Sequence, residues 1–482
     1  MQNYSFKMIE EFIREQIKRN FQYNPTSDQL FALNSLADFM VSTDNESLLL
    51  IKGYAGTGKT SLIATLVRTM NQLEQKCILL APTGRAAKVM SNYAHHPALT
   101  IHKKIYRQRA FANEASGFAP ADNLHKDTLF IVDEASMISN DGLDSVSFGT
   151  GRLLDDLIQY VYGGENCRLI LIGDSAQLPP VMQTESPALN KDVLEGYGLN
   201  VGVAELTQVV RQAADSGILF NATRIREDLR NDLVFEFPQL RVKGFPDIIN
   251  VPGDELIDEI SNAYSRSGMD ETMIVARSNK RANIYNQGVR NRILYREEEL
   301  SGGDLLMIAK NNYFWAKDVK EIDFIANGEI VEVLRVRRTY EMYGFRFADI
   351  LVRFQAYDIE LEIKILLDTL HSDSASLPKE QSDKLFYSIL EDYADIPTKA
   401  GKYKKLKEDP HYNVVQVKYA YAVTCHKAQG GQWENVFLDI GFISEDYLGI
   451  DFYRWLYTAI TRATKRLYIV NLPESMEDKA LD

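Results

Sequence analysis

The sequence predicts an α/β protein with two doubly wound parallel-sheet domains, the second interrupted by a β-rich segment. Three observations carry this. Between residues 29 and 211, the apolar runs SLLLIKG (47–53), KCILLAPT (76–83), TLFIVDE (128–134) and RLILIGD (168–174) alternate with polar, helix-like stretches. Strands covered on both faces and joined by crossover helices have this pattern. A second set follows in ETMIVARS (271–278), AYAVTCHKAQG (420–430), NVFLDIG (435–441) and RLYIVN (466–471). Between them, residues 327–354 alternate apolar and polar with glycine turns, which predicts antiparallel strands.

The 482 residues are 45% hydrophobic and 25% charged, enough for two to four domains with real cores. No apolar run reaches the ~20 residues that span a bilayer, so no membrane partner is expected. Phe6, Ile9, Ile13 and Ile17 fall three or four apart, predicting an amphipathic helix docked on the body rather than a signal peptide. Three scattered cysteines without CxxC spacing argue against a zinc or disulfide framework and for a reducing cytoplasm. A net charge of −13 opposes a large nucleic-acid footprint but leaves room for a local basic groove.

The segment GYAGTGKT, Gly53 to Thr60, fits GxxxxGK[ST] between an apolar strand and the helix-like SLIATLVRTM. Gly53, Gly56, Thr57 and Gly58 shape a loop whose backbone N–H groups turn toward phosphate, and a helix N-terminus adds its dipole. Lys59 is expected on the β- and γ-phosphates of ATP and Thr60 on Mg²⁺. In FIVDEAS, Asp133 is the second expected Mg²⁺ ligand and Glu134 the base for the attacking water. In LIGDSAQLPPV, Gln177 is a forked polar group able to sense the γ-phosphate.

In order along the chain, GYAGTGKT, APTGRAAK, TIH, VDEAS, GDSAQLPPV, LTQVVRQ, VTCHKAQGGQW and YTAITRA resemble the motifs of the superfamily 1 DNA helicases. They look most like the 5′-to-3′ branch, the RecD/Dda/PIF-type group. The resemblance implies two RecA-like domains with ATP between them. It places Gln29 of PTSDQL on the adenine edge, Gly430 beside the nucleotide, and Arg211 and Arg462 on the γ-phosphate. It also implies a single-strand track through Thr83, Lys88, His102, Thr424, His426 and Lys427. Cys425, beside His426, is read as a small buried filler; in a strand, adjacent side chains point to opposite faces, so no Cys–His pair is expected.

Residues 103–126, too polar for a core element, correspond to a pin that splits duplex, with Phe111 and Phe118 as stacking groups. The 327–354 region corresponds to a small SH3-like barrel. The division expected is a helical extension (1–24), domain 1 (25–215), domain 2 (216–300 and 410–482) and an inserted β-rich domain (301–409). The implied activity is ATP-driven DNA unwinding in repair, recombination or replication, in the cytoplasm of a bacterial or phage-infected cell. Its partners are single-stranded DNA and duplex junctions. The alternative is a single-strand translocase that needs partners to unwind.

Overall fold

The computed structural model describes residues 2–108, 118–142, 149–210, 215–317, 319, 322, 324–354 and 358–478. Its first sheet has six parallel strands in the spatial order Ala98–Thr100, Lys76–Ala81, Thr128–Val132, Arg168–Gly173, Ser47–Gly53 and Asn200–Leu206. The second has five, also parallel: Ala422–Thr424, Thr272–Ala276, Trp433–Asp439, Ala463–Val470 and Ile248–Val251. The central strands Thr128–Val132 and Thr272–Ala276 are buried at every residue, which is why each reads as an unbroken apolar run. Both sheets are RecA-like in this doubly wound, all-parallel sense.

Strands Leu305–Ile308, Ile330–Met342, Phe345–Phe354, Ile359–Leu366 and Val415–Tyr419 close into a barrel. Its inward residues Val331, Val333, Ile350, Val352 and Val417 join the apolar core of the second sheet. The expected return to domain 2 at residue 410 is corrected here: Val415–Tyr419 pairs with Leu305–Ile308 and completes the barrel before the chain rejoins the sheet. Between the last two barrel strands, helices Lys379–Glu391 and Lys399–Glu408 cover Phe345, Phe347 and Leu366 with Leu385, Ile389 and Leu406.

The N-terminal helix Gln2–Asn20 docks through Ile13 and Ile17, both buried, and through Asn20, whose amide donates to Thr69 and Gln72. Ile9, expected on the docked face, is 50% exposed, while the side chain of Phe6 lies outside the described residues. The base of the 103–126 segment also departs from expectation. Ile105 and Tyr106 are buried in the first domain's core, and Tyr106 Oη donates to Asp156 at 2.7 Å. Tyr106–Gln108 pairs antiparallel with Phe118–Pro120, so this base is a hairpin; Phe111 lies outside the described residues. Among the described residues, no helix is long and apolar enough to cross a membrane.

Candidate nucleotide site between the two sheets

A cleft of about 630 Å³ opens between the sheets, lined by Gln29, Lys59, Thr60, Asp133, Glu134, Gln177, Gly430 and Arg462. The strand Ser47–Gly53 delivers the chain into the glycine loop, where Gly56 and Gly58 take φ of +73° and +92°. Gly58 is doubly constrained, since a Cβ there would lie 2.4 Å from Gln29 Nε2. Helix Lys59–Gln72 begins at Gly58 without a side-chain cap, so its first-turn N–H groups have no capping acceptor from the sequence. Lys59 Nζ donates to the carbonyls of Gly53 and Tyr54 at 2.7 and 2.9 Å and lies 3.8 Å from Asp174 Oδ2.

Gln29 forms a capping box with Thr26 at the start of helix Ser27–Val41, and its Nε2 donates to the Thr57 carbonyl at 2.9 Å. Its amide is therefore turned onto the glycine loop. Asp133 accepts from Tyr93 Oη at 2.6 Å and from the Glu134 N–H at 2.8 Å. Glu134 sits at φ +53°, a left-handed conformation uncommon for its residue type and frequent at functional sites. Burial pushes its carboxyl above the ordinary carboxylate range, and the Arg462 guanidinium opposes that rise.

Gln177, buried, bridges these two groups. With its amide oriented to satisfy both, nitrogen lies 3.3 Å from Glu134 Oε2 and oxygen 3.3 Å from Arg462 Nη2. Arg462 comes from the second sheet's side and is only 2% exposed. It also donates to the Thr458 and Gly431 carbonyls at 2.9 and 3.2 Å. Gly430, at φ +73°, comes against the first domain: a Cβ there would lie 3.2 Å from Thr83 Oγ1. Arg211 lies outside the described residues.

The expected strand contacts are dispersed. Thr83 caps helix Gly84–Ala94 by accepting from the Ala86 N–H, so its hydroxyl is committed locally and sits at the domain seam beside Gly430. Lys88 is exposed on that helix, beside a small cavity shared with Asp270 and Glu271. The His102 ring lies 5.7 Å from Tyr106 and 6.4 Å from Phe324. Thr424 ends its strand, and Cys425 to Ala428 turn into a short helix, correcting the extended run expected to residue 430. Cys425 and His426 still diverge, by helical rotation instead of strand alternation: Cys425 is fully buried, its thiol pushed up to about 12 by burial, while His426 is exposed. Lys427 donates to Asn327 of the barrel domain, and burial lowers its pKa to about 8.

Sequence reading missed Tyr457, Thr458 and Gln429. Thr458 Oγ1 accepts from the Leu178 N–H at 2.8 Å, and Gln429 Nε2 donates to the Leu178 carbonyl at 2.7 Å. Tyr457 Oη accepts from the Ala55 N–H at 2.8 Å and donates to Asp174 Oδ2 at 2.7 Å. The available signal was the helical period, which sets Thr458 one turn before Arg462 on the same face.

Residues 35–236 match the AAA domain family and residues 419–470 the UvrD-like helicase C-terminal domain. An uncharacterised protein of Acanthamoeba polyphaga mimivirus is 22% identical over 92% of this chain and 98% of its own length. The ATP-dependent DNA helicase dda of Enterobacteria phage T4 is 27% identical over 60% of this chain and 63% of its own. The ATP-dependent RecD2 DNA helicase of Deinococcus radiodurans is 31% identical over 36% of this chain and 21% of its own. The chain thus spans less than two thirds of these last two relatives. A crystal structure of Pif1 helicase from Bacteroides with ADP-AlF3 and ssDNA covers 95% of each chain at 15% identity and a TM-score of 0.46, too loose a likeness to bear on the site. By the order of its motifs and these matches, the chain resembles the superfamily 1 helicases, most of all the branch that holds the RecD, Dda and PIF-type proteins.

Proposed function

We propose that the chain is an ATP-driven DNA helicase that moves 5′-to-3′ on single-stranded DNA and separates duplex at junctions. The observation that carries this reading is the meeting of Lys59, Glu134 and Gln177 with Arg462, which comes from the other sheet, in one cleft. Lys59 exchanges the Gly53 and Tyr54 carbonyls for phosphate oxygens. Glu134, with its raised pKa, takes the proton of the attacking water. Arg462 and Arg211 stabilise charge developing on the transferring phosphoryl group. The Thr60 hydroxyl and the Asp133 carboxylate both line the cleft, and hard oxygen donors of this kind suit Mg²⁺. A Mg²⁺ ion held there with the nucleotide offsets phosphate charge.

Arg462 belongs to the second sheet's side, so cleavage of the γ-phosphate changes the attraction across the cleft. The same side carries Thr424, His426 and Lys427, which grip the DNA backbone together with Lys88 and His102 of the first domain, while Thr83 caps its own helix at the seam. Gln29 and Gly430 bound the nucleotide pocket, Gln29 turning from the loop to the base. The domains of this reading are residues 25–215, residues 216–300 with the chain beyond Tyr419, and the barrel insertion between them. The test is ATP hydrolysis by the purified chain with and without single-stranded DNA. Strong stimulation is expected; hydrolysis indifferent to nucleic acid contradicts the reading.

A further inference from the structure

We propose that Tyr457 is a positioning residue whose hydroxyl holds the glycine loop closed on itself and is exchanged for nucleotide. The inference rests on the nucleotide reading of the cleft. Tyr457 lies on helix Ile450–Ile460 of the second domain and is 1% exposed. Its hydroxyl reaches across the domain seam, accepts from the Ala55 N–H at 2.8 Å and donates to Asp174 Oδ2 at 2.7 Å. Ala55 is the third residue of GYAGTGKT, and backbone N–H groups of such a loop are phosphate donors. Asp174 Oδ2 also lies 3.8 Å from Lys59 Nζ, which is spent on the Gly53 and Tyr54 carbonyls.

One hydroxyl from the other domain therefore satisfies a loop amide and steadies the carboxylate beside the loop lysine. A phosphate arriving at the loop competes with protein acceptors for both donors. The Tyr457 bonds stabilise only the arrangement that phosphate displaces, so removing the hydroxyl favours bound nucleotide. A residue that simply cemented the domains, or one that gripped nucleotide, has a different signature: no change in affinity, or a loss.

Tyr457→Phe keeps the ring and deletes the hydroxyl. ADP affinity is measured on the full chain without DNA, by calorimetry, beside wild type and Thr458→Val. The valine variant breaks the Leu178 contact in the same seam without touching the glycine loop. The proposal expects Tyr457→Phe to bind ADP about three- to tenfold tighter, the worth of one ordinary hydrogen bond, with Thr458→Val unchanged. If the phenylalanine variant does not fold, Tyr457→Met fills the space without a hydroxyl and the same result is expected. Unchanged or weaker ADP binding by the folded variant overturns the proposal. Equal tightening by Thr458→Val also overturns it, because loosening the seam then explains the effect. No ADP binding by wild type overturns the nucleotide reading itself, and this inference with it.

Discussion

Replacing Arg462 with alanine separates catalysis from scaffolding in the cleft. The guanidinium donates to the Thr458 and Gly431 carbonyls and to Thr461 Oγ1, at 2.9, 3.2 and 3.2 Å, all in its own domain. Leaving such buried acceptors without a donor costs about 1–3 kcal/mol of stability, well short of unfolding a typical domain. The catalytic role proposed for it lies on the other side, where Gln177 links it to Glu134. A guanidinium matched to developing phosphoryl charge is worth on the order of 10³ in rate, about 4 kcal/mol of transition-state stabilisation. Arg462→Ala should therefore lose about 10³ in kcat at saturating single-stranded DNA, with KM for ATP changed severalfold at most. It also removes the cation that opposes the rise in the Glu134 pKa. The acid limb of the kcat profile should then move to higher pH. Arg462→Lys keeps charge but not the planar fork, and should recover little of the rate. Steady-state kinetics across pH, beside melting temperatures, check this. A raised KM with normal kcat, or an acid limb that stays in place, refutes the assignment.

Glu134→Gln should bind ATP normally and lose turnover, because an amide cannot accept the water's proton; failure to bind nucleotide would make Glu134 structural. In wild type, Glu134 must be ionised to act, and its pKa is raised, so kcat should fall on acidification at a pH above the usual carboxylate range. Lys427, with a pKa near 8, is charged below that value and neutral above it. The salt dependence of single-strand affinity should thus weaken by about 0.7 in log–log slope as pH rises through 8, and Lys427→Met should abolish that change. Replacing residues 109–117 with a short Gly/Ser linker spares the paired base Tyr106–Gln108 and Phe118–Pro120. It should preserve stimulated ATPase and cripple unwinding; unwinding at the normal rate would make the segment a surface loop.

The strands legible in sequence were mostly those buried on both faces. In the two parallel sheets the three that escaped, Ala98–Thr100, Asn200–Leu206 and Ile248–Val251, all lie at sheet edges. Asn200–Leu206 alternates exposed and covered residues along its edge, so it never forms an apolar run. The glycine loop and the acidic pair were readable because their chemistry demands particular residues at fixed spacing. Tyr457 was not, although it stands inside a recognised motif: its partners, Ala55 and Asp174, are some 400 and 280 residues away in sequence. The barrel's end was misjudged for a related reason. Val415–Tyr419 looks like one more domain-2 strand until its pairing with Leu305–Ile308 is known.

Strand displacement on matched 5′-tailed and 3′-tailed duplexes, by the purified chain alone with ATP and Mg²⁺, tests the proposed activity most directly. The account predicts release of the strand from the 5′-tailed substrate, little from the 3′-tailed one, and none from either with Glu134→Gln. Preferential opening of the 3′-tailed duplex, or no opening of either by a chain whose ATPase is stimulated by single-stranded DNA, would contradict it.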